Sequence, residues 1–249
     1  MDNETNSKAT DIVFGRNPVL EAIRSGREID RLYVAHGANS GSVSEIIAKC
    51  SAKGILIKEI SKQKLDYYCG GGNHQGVAVM IASHEYSTVE EILKTAKEKD
   101  EAPFIIICDE IEDPHNLGAI IRTAESCGAH GVIIPKRRSA SLNSTVAKTS
   151  AGALEYMKVA RVTNIANTID MLKENGVWVF GAAMDGKDYK SFDYSVSTAI
   201  VIGNEGNGIG ALTRKKCDEI ISLPMRGKIN SLNASVAAGI LMYEVIKHR

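Results

Sequence analysis

Three stretches of this chain join a glycine-rich or polar turn to side chains able to do chemistry. In Ile200-Val-Ile-Gly-Asn-Glu-Gly-Asn-Gly208 an apolar run passes straight into Gly203, Gly206 and Gly208, which surround one carboxylate, Glu205. A tight turn that needs positive φ explains one or two of the glycines. It does not explain the acid. Eighteen residues after Glu205, Leu223-Pro-Met-Arg-Gly-Lys-Ile-Asn-Ser-Leu-Asn-Ala-Ser-Val-Ala-Ala238 reads as a second strand end and turn that opens the last helix with Ser231 and Asn233. Two such turns can build one small-molecule pocket at the ends of neighbouring strands. The third stretch, Asp113-Pro-His-Asn-Leu-Gly-Ala-Ile-Ile-Arg122, also follows a strand. There Asn116 reads as the helix cap and Gly118 as the point where the helix packs closely on the sheet. Arg122 is a surface residue, half of a buried ion pair, or a guanidinium near a strand end that grips a phosphate bidentately. Ser231 can cap the last helix, face a ligand, or do both. Asn233 lies in that helix's first turn, where Asn is a poor helix former but a good hydrogen-bonding group.

Other chemistries fit the pattern less well. The glycines read G-x-x-G-x-G rather than the G-x-G-x-x-G dinucleotide fingerprint, which disfavours a nicotinamide-dependent oxidoreductase. His74 and His115 stand near glycine turns without a Ser or Cys in a nucleophile motif, so a histidine-based hydrolase is disfavoured. No CxxC pair or close histidine cluster suggests a metal. The five cysteines are odd in number and widely spaced. They read as reduced core thiols.

The elements that position these residues alternate. In the first part, Asn17-Pro18 reads as a helix start with Asn17 as N-cap, Arg31 to Ala35 as a strand, and Ser42-Val-Ser-Glu45 as a capping box. Gly54 stops that second helix, Ile55 to Ile60 is a strand, a short helix starts at Ser61, and Val77 to Ala82 is a strand. This predicts a small α/β domain over residues 11–83, after a disordered tail at residues 1–10. Thr88-Val-Glu-Glu91 is another capping box, and its acidic helix reads as a joint over residues 84–101. The second domain, residues 102–249, opens on the continuously apolar Phe104 to Cys108, as a central parallel strand should. Helical Leu117 to Cys127, strand Gly131 to Pro135, helical Asn164 to Asn175, and strands Val177 to Ala183 and Thr198 to Ile202 follow, with a last helix from Ser231. The fold class is α/β, with a mostly parallel sheet covered by helices on both sides.

With 249 residues, of which 44% are hydrophobic, the chain can bury a full core. No apolar run has membrane length, and the polar N-terminus is unlike a signal peptide, so the expected location is cytoplasmic. The formal net charge is zero, yet residues 84 to 113 hold ten acidic side chains against three lysines. The rest of the chain is therefore basic. Clusters at Lys136-Arg137-Arg138, Arg214-Lys215-Lys216 and Arg226 with Lys228 read as solvated surface one by one, and together make a polyanionic substrate plausible.

Asn116-Leu-Gly118 with Arg122-Thr123, then Gly203-Asn-Glu205-Gly206, then Leu223-Pro-Met225 with Ser231-Leu232-Asn233, match in order and spacing the motifs of the SpoU family. This is the TrmH-like branch of the SPOUT RNA 2′-O-ribose methyltransferases, and the chain resembles it over residues 104 to 249. The N-terminal part, with Gly15-Arg-Asn-Pro-Val-Leu-Glu-Ala-Ile23 and His74-Gln-Gly76, looks like an L30e-like RNA-binding domain. Lys148-Thr-Ser-Ala-Gly-Ala153 and Arg161-Val-Thr-Asn164 are similar to the subgroup that methylates a guanosine of 23S rRNA. The resemblance implies S-adenosylmethionine as methyl donor, a C-terminal trefoil knot and a homodimer whose active site draws on both subunits. It assigns the chemistry to Asn116, Arg122, Glu205, Ser231 and Asn233, and the cofactor to Gly203, Leu223, Met225, Leu232, Ala182 and Asn233. RNA contacts fall to Arg16, Asn17, His74, Gln75, Arg122 and Arg226, and no metal is implied. Related enzymes with the same motifs modify tRNA or other rRNA nucleotides, and a ribosome-assembly factor that binds RNA without catalysis is the alternative of another class. One departure is Ala234, where the third motif commonly has valine.

Overall fold

The structure, a computed structural model, describes residues 11–39 and 41–249. The expected disordered tail at residues 1–10 lies outside them. The chain divides into two units, one holding the described residues up to Glu85 with Ser141–Ser144, the other Tyr86–Ala140 and Thr145–Arg249.

The first unit runs β1 (Ile12–Phe14), α1 (Arg16–Arg24), β2 (Ile29–Ala35), α2 (Ser42–Ala52), β3 (Leu56–Ile60), α3 (Lys62–Tyr68) and β4 (Val77–Ile81). Its sheet has the order β1-β4-β2-β3. The β1–β4 and β4–β2 pairs are antiparallel and β2–β3 is parallel. Successive strand residues point to opposite faces. Leu32, Val34, Val77 and Val79 therefore join Val19, Ile23, Val43 and Ile46 of α1 and α2, while Tyr33, Ala35 and Ala78 join Leu65 and Cys69. Two helix starts differ from the sequence reading. Gly15 and Gly41, both at positive φ, precede α1 and α2 without a side-chain cap. Asn17-Pro18 lies inside the first turn of α1, and Ser42 is the first residue of α2 rather than its cap.

The second unit contains α4 (Val89–Glu98), β5 (Phe104–Asp109), α5 (Pro114–Ser126), β6 (Gly131–Pro135), α6 (Ser144–Thr149), β7 (Val159–Val162), α7 (Ile165–Glu174), β8 (Trp178–Asp188), β9 (Thr198–Gly203), α8 (Ala211–Lys216), β10 (Glu219–Ser222) and α9 (Ala234–Ile246). Its six strands lie in the order β10-β8-β9-β5-β6-β7, and every pair is parallel. All six residues of β5 are buried, as a strand covered on both faces requires. Ile105 and Ile107 share one core with Ile133, Val179, Val201 and the α7 residues Ile165, Ile169 and Leu172. Helix α9 packs on α5 and on β9.

The acidic helix is not a free-standing joint. The Thr88 capping box forms, and α4 then buries Val89 and Ile92 in the core of the second unit. Its charges occupy only the outward face.

The chain leaves β5 toward β6 and β7 on one side, while β9 and β8 lie on the other. The resulting crevice opens where Asp109 and Gly203 stand side by side at the strand ends.

Candidate active site

The loop after β9 is closed by its own backbone. Asn204 and Gly208 exchange two hydrogen bonds, 3.0 and 2.8 Å long. The Asn204 Oδ1 accepts the amides of Gly206 (2.8 Å) and Asn207 (3.3 Å), and its Nδ2 donates to the Glu110 carbonyl at 3.0 Å. Position 203 has no room for a side chain, since a Cβ there would run into the Gly208 carbonyl and the Ile209 amide. The Asp109 Oδ2 accepts the Gly210 amide at 2.8 Å and ties the far end of the loop to β5. Glu205 thus stands exposed at the tip of a rigid loop.

Helix α5 is capped by Asp113, which accepts the His115 amide at 2.8 Å, with Pro114 at the first helical position. Asn116, expected as the cap, is displaced into the first turn because Asp113-Pro114 is the stronger start. Its side chain is freed for another task. The Asn116 Nδ2 donates to the Glu205 Oε1. The Asn233 Nδ2 donates to the same oxygen at 2.8 Å and to the Asn116 Oδ1 at 3.0 Å. The other end of the Asn233 amide caps α9, its Oδ1 accepting the Ser235 and Val236 amides at 3.0 and 3.3 Å and the Ser235 hydroxyl at 2.6 Å. Asn116, Glu205 and Asn233, far apart in sequence, form one closed triangle. Among the described residues the Glu205 Oε2 has no partner, so one carboxylate oxygen binds the loops and the other faces outward.

Two expected members are absent from the triangle. Ser231 does not cap α9, which begins three residues later behind Asn233. An N-cap takes extended backbone angles, and Asn233 with ψ 142° leaves Ser231 in the preceding loop, exposed. Arg122 does not face Glu205. At 100° per residue it points roughly 120° around α5 from Asn116. Gly118 lies on the Arg122 side, and it packs on α6 rather than on the sheet, with Thr149 Cβ 2.7 Å from where its own Cβ would be. Arg122 is exposed and, among the described residues, makes no ion pair. It borders a cleft of about 390 Å³ with Ser150, Gly152 and Tyr156. A second groove, about 580 Å³, runs between α5 and α9 and is walled by Thr123, Val236, Ile240 and Tyr243.

The loop from Leu223 to Leu232 leaves its backbone unpaired, for none of these residues joins a backbone hydrogen bond among the described residues. Leu223 is half-buried, Met225 and Leu232 are exposed, and so is Arg226. Ala182, half-buried, lies on β8 next to Gly181, the register partner of Val201 in β9.

Of the predicted RNA contacts in the first unit, Arg16 and Gln75 are joined. The Arg16 amide donates to the Gln75 Oε1 at 3.0 Å, and the Arg16 Nε to the Gln75 carbonyl at 3.3 Å. Asn17 is exposed. His74 is an interior residue and not a surface contact. Its Nδ1 accepts the Gly76 amide at 2.9 Å, which places the ring proton on Nε2, 2.9 Å from the Asp66 carboxylate. Both nitrogens hold the glycine turn.

The basic clusters are partly neutralised. Arg214 forks onto Asp185 at 2.8 and 2.9 Å, Lys216 meets Asp170 at 2.6 Å, and Arg138 meets Glu110 at 3.0 Å. Among the described residues Lys136, Arg137, Lys215, Arg226 and Lys228 keep unpaired charges. The five cysteines are free thiols. Burial pushes Cys50, Cys69 and Cys127 up to about 11 and Cys108 and Cys217 to about 12, so none is a nucleophile at neutral pH. Sequence reading missed Asp109, Asp113 and Asn204. The Asp-Pro pair and an Asn beside glycines were the available signals.

Comparison with known proteins places this geometry. The SpoU rRNA methylase family profile matches residues 103–243, and the RNA 2′-O ribose methyltransferase substrate-binding profile matches residues 12–87. A Bacillus subtilis protein provisionally described as the TrmH family tRNA/rRNA methyltransferase YacO is 48% identical over 244 residues, 98% of either chain. A Staphylococcus aureus protein of like description is 47% identical over 239 residues, 96% of either chain. Among solved structures, the AdoMet-bound rRNA methyltransferase from Sinorhizobium meliloti has a TM-score of 0.59 at 25% identity, covering 96% of this chain and 87% of that one. The SpoU methyltransferase AviRb from Streptomyces viridochromogenes, in complex with AdoMet, shares the fold at a TM-score of 0.60 and 23% identity, over 95% and 89% of the two chains. The chain belongs to the SpoU family and is an RNA methyltransferase of the SpoU/TrmH type.

Proposed function

We propose that this protein methylates the ribose 2′-hydroxyl of a guanosine in 23S rRNA, acting in the cytoplasm as a homodimer with S-adenosylmethionine. The observation that carries the reading is the Asn116–Glu205–Asn233 triangle at the ends of β5 and β9. The cofactor's fit can be judged from the Leu223 to Leu232 loop, whose unpaired amides and carbonyls lie beside the exposed apolar Met225 and Leu232. That is the donor set an adenosine moiety needs. Gly203, Leu223, Leu232 and Ala182 would hold it through backbone groups, and Asn233 fixes where the loop ends. When bound, the cofactor supplies an electrophilic methyl group. The trefoil knot implied by the resemblance belongs to the same proposal.

The chain's own contribution is position and charge. The outward Glu205 Oε2 accepts a hydrogen bond from the incoming ribose, while Asn116 and Asn233 hold the carboxylate in place. Ser231 and Arg226 line the approach. Arg122 grips the substrate phosphate bidentately and stabilises charge developing on the attacking oxygen; a guanidinium stays protonated, so water or the phosphate takes the proton. Within one chain Arg122 points away from the triangle. We infer that a second copy delivers it, with the groove beside α9, where Val236, Ile240 and Tyr243 are exposed, as the shared face. In the first unit Arg16, Asn17 and Gln75 form the RNA-facing edge.

The test has two parts. Calorimetry should show S-adenosylmethionine binding to the purified protein. Ribose-methylation mapping of total RNA from a deletion strain should show one guanosine of 23S rRNA losing its methyl group. Loss at a tRNA position instead would move the substrate within the family, and no cofactor binding would leave an RNA-binding assembly factor.

A further inference from the structure

The cleft beside Arg122 is bounded by a fixed turn, and one aromatic side chain, Tyr156, lines it. Gly118 and Arg122 sit one turn apart on the same side of α5, and the contact of Gly118 with Thr149 and the Ser150 amide clamps α5 to the turn after α6. That turn is strained. Ala151 has φ 49° and Gly152 φ 89°, and a non-glycine residue in the left-handed region is uncommon and clusters at functional sites. The turn is also anchored. Ser150 is buried and its hydroxyl donates to the Ala147 carbonyl at 2.9 Å. A short 3-10 helix at Ala153–Glu155 follows, and the buried Leu154 and Met157 fix it on either side of Tyr156. Tyr156 itself is 82% exposed. An aromatic ring is thus held in water by a rigid turn, and it shares a cleft of about 390 Å³ with an unpaired guanidinium and with the carboxylates of Glu125 and Glu155.

Folding gains nothing from that exposure. A flat ring and a phosphate-binding cation lining one nucleotide-sized cleft are the combination that receives an unstacked base with its own phosphate, and the two carboxylates leave room for a single phosphate rather than a run of them. We propose that Tyr156 is a substrate-binding residue, a stacking platform for the base of a single-stranded nucleotide whose phosphate Arg122 holds. The inference rests on the reading of Arg122 as a phosphate ligand. It selects RNA with a splayed loop or bulge over continuous duplex, because only a base outside the stack reaches the ring. Stacking accepts every base, so this cleft sets the conformation of the RNA and leaves base identity to other residues.

The probe is hexauridylate, compared with an abasic ribose-phosphate hexamer of the same charge, titrated against the full-length protein. Tyr156→Ala should weaken hexauridylate binding by roughly five- to 150-fold, the range for losing one base–aromatic stack. Tyr156→Phe should keep wild-type affinity, and the abasic hexamer should bind wild type and Tyr156→Ala alike. Thermal melts confirm that the exposed substitution leaves the fold intact. Equal hexauridylate affinity for wild type and Tyr156→Ala overturns the proposal, and so does an equal loss with the abasic hexamer. Arg122→Ala separates the two layers. If it weakens both hexamers while Tyr156→Ala changes neither, the stacking inference alone falls. If it changes neither hexamer, the phosphate role falls and takes this inference with it.

Discussion

Arg122 provides the sharpest test of how the active site is assembled. Asn116 and Arg122 are six residues apart on one helix, which separates their directions by roughly 120°. Asn116 is locked to Glu205 and Asn233, so α5 cannot turn to bring Arg122 round. On the proposed reading, a site that uses both takes them from two chains. Arg122→Ala and Glu205→Ala homodimers should each lose about 10²- to 10³-fold in methyl transfer, the cost of removing one group aimed at developing charge. Mixed under conditions of subunit exchange, equal amounts give a half share of heterodimers. Each heterodimer has one site pairing the intact triangle of the Arg122→Ala chain with the intact arginine of the other, and one site lacking both. About a quarter of wild-type activity should return, from two preparations that are each nearly inactive. The assay is tritiated methyl transfer to undermodified rRNA, with differently tagged chains to confirm exchange. Restoration no greater than the sum of the two single variants, with heterodimers demonstrably present, would refute the arrangement and require Arg122 to act within its own chain after a rearrangement of α5.

Other expected outcomes follow from single contacts. Gly203→Ala places a methyl against the Gly208 carbonyl; the loop must shift, and we expect methyl transfer to fall by at least about 100-fold, with stability reduced by about 1–3 kcal/mol in denaturant melts. Asn233→Ala removes both the α9 cap and a Glu205 partner, so urea titration should show a loss of about 1–2 kcal/mol, accompanied by a drop in kcat larger than the Asp113→Ala cap variant shows. His130 is buried between the Phe104 amide and Glu101, and burial holds its imidazole below the ordinary value of 6.5. The unfolded chain then binds a proton first as pH falls, so stability drops below about pH 6.5 until the folded imidazole also titrates; His130→Gln should flatten the Tm profile between pH 6.5 and 5, and an unchanged slope would rule the histidine out. Tyr243→Asp, on the exposed α9 face, should shift the protein toward monomer in analytical ultracentrifugation and abolish methyl transfer without lowering S-adenosylmethionine affinity by more than a few-fold.

What the sequence disclosed follows the range over which each signal acts. Continuous apolar strands such as β5 and β6, and the Thr88 capping box, are local patterns that tertiary structure does not overrule, and the structure keeps them nearly residue for residue. Strands β1 and β7 are too short to show a period, and they exist because β4 and β6 offer them an edge. Around the candidate site the caps were misplaced because polar side chains there have a choice of partners. Asn116 and Ser231 read as caps and Asn233 as a first-turn residue, but an asparagine amide can be a cap or a bridge, and only spatial neighbours decide which. Asp113 took the capping role from Asn116, whereas Asn233 performs both tasks because its Oδ1 and Nδ2 face opposite ways. Glu205 shows the same division at one carboxylate, Oε1 bound by the two asparagines and Oε2 outward. Three polar residues that sequence spacing could only place at separate strand ends therefore act as one unit. Loss of any one leaves a hydrogen-bonding group of another unpaired, so substitutions within the triangle should be strongly non-additive.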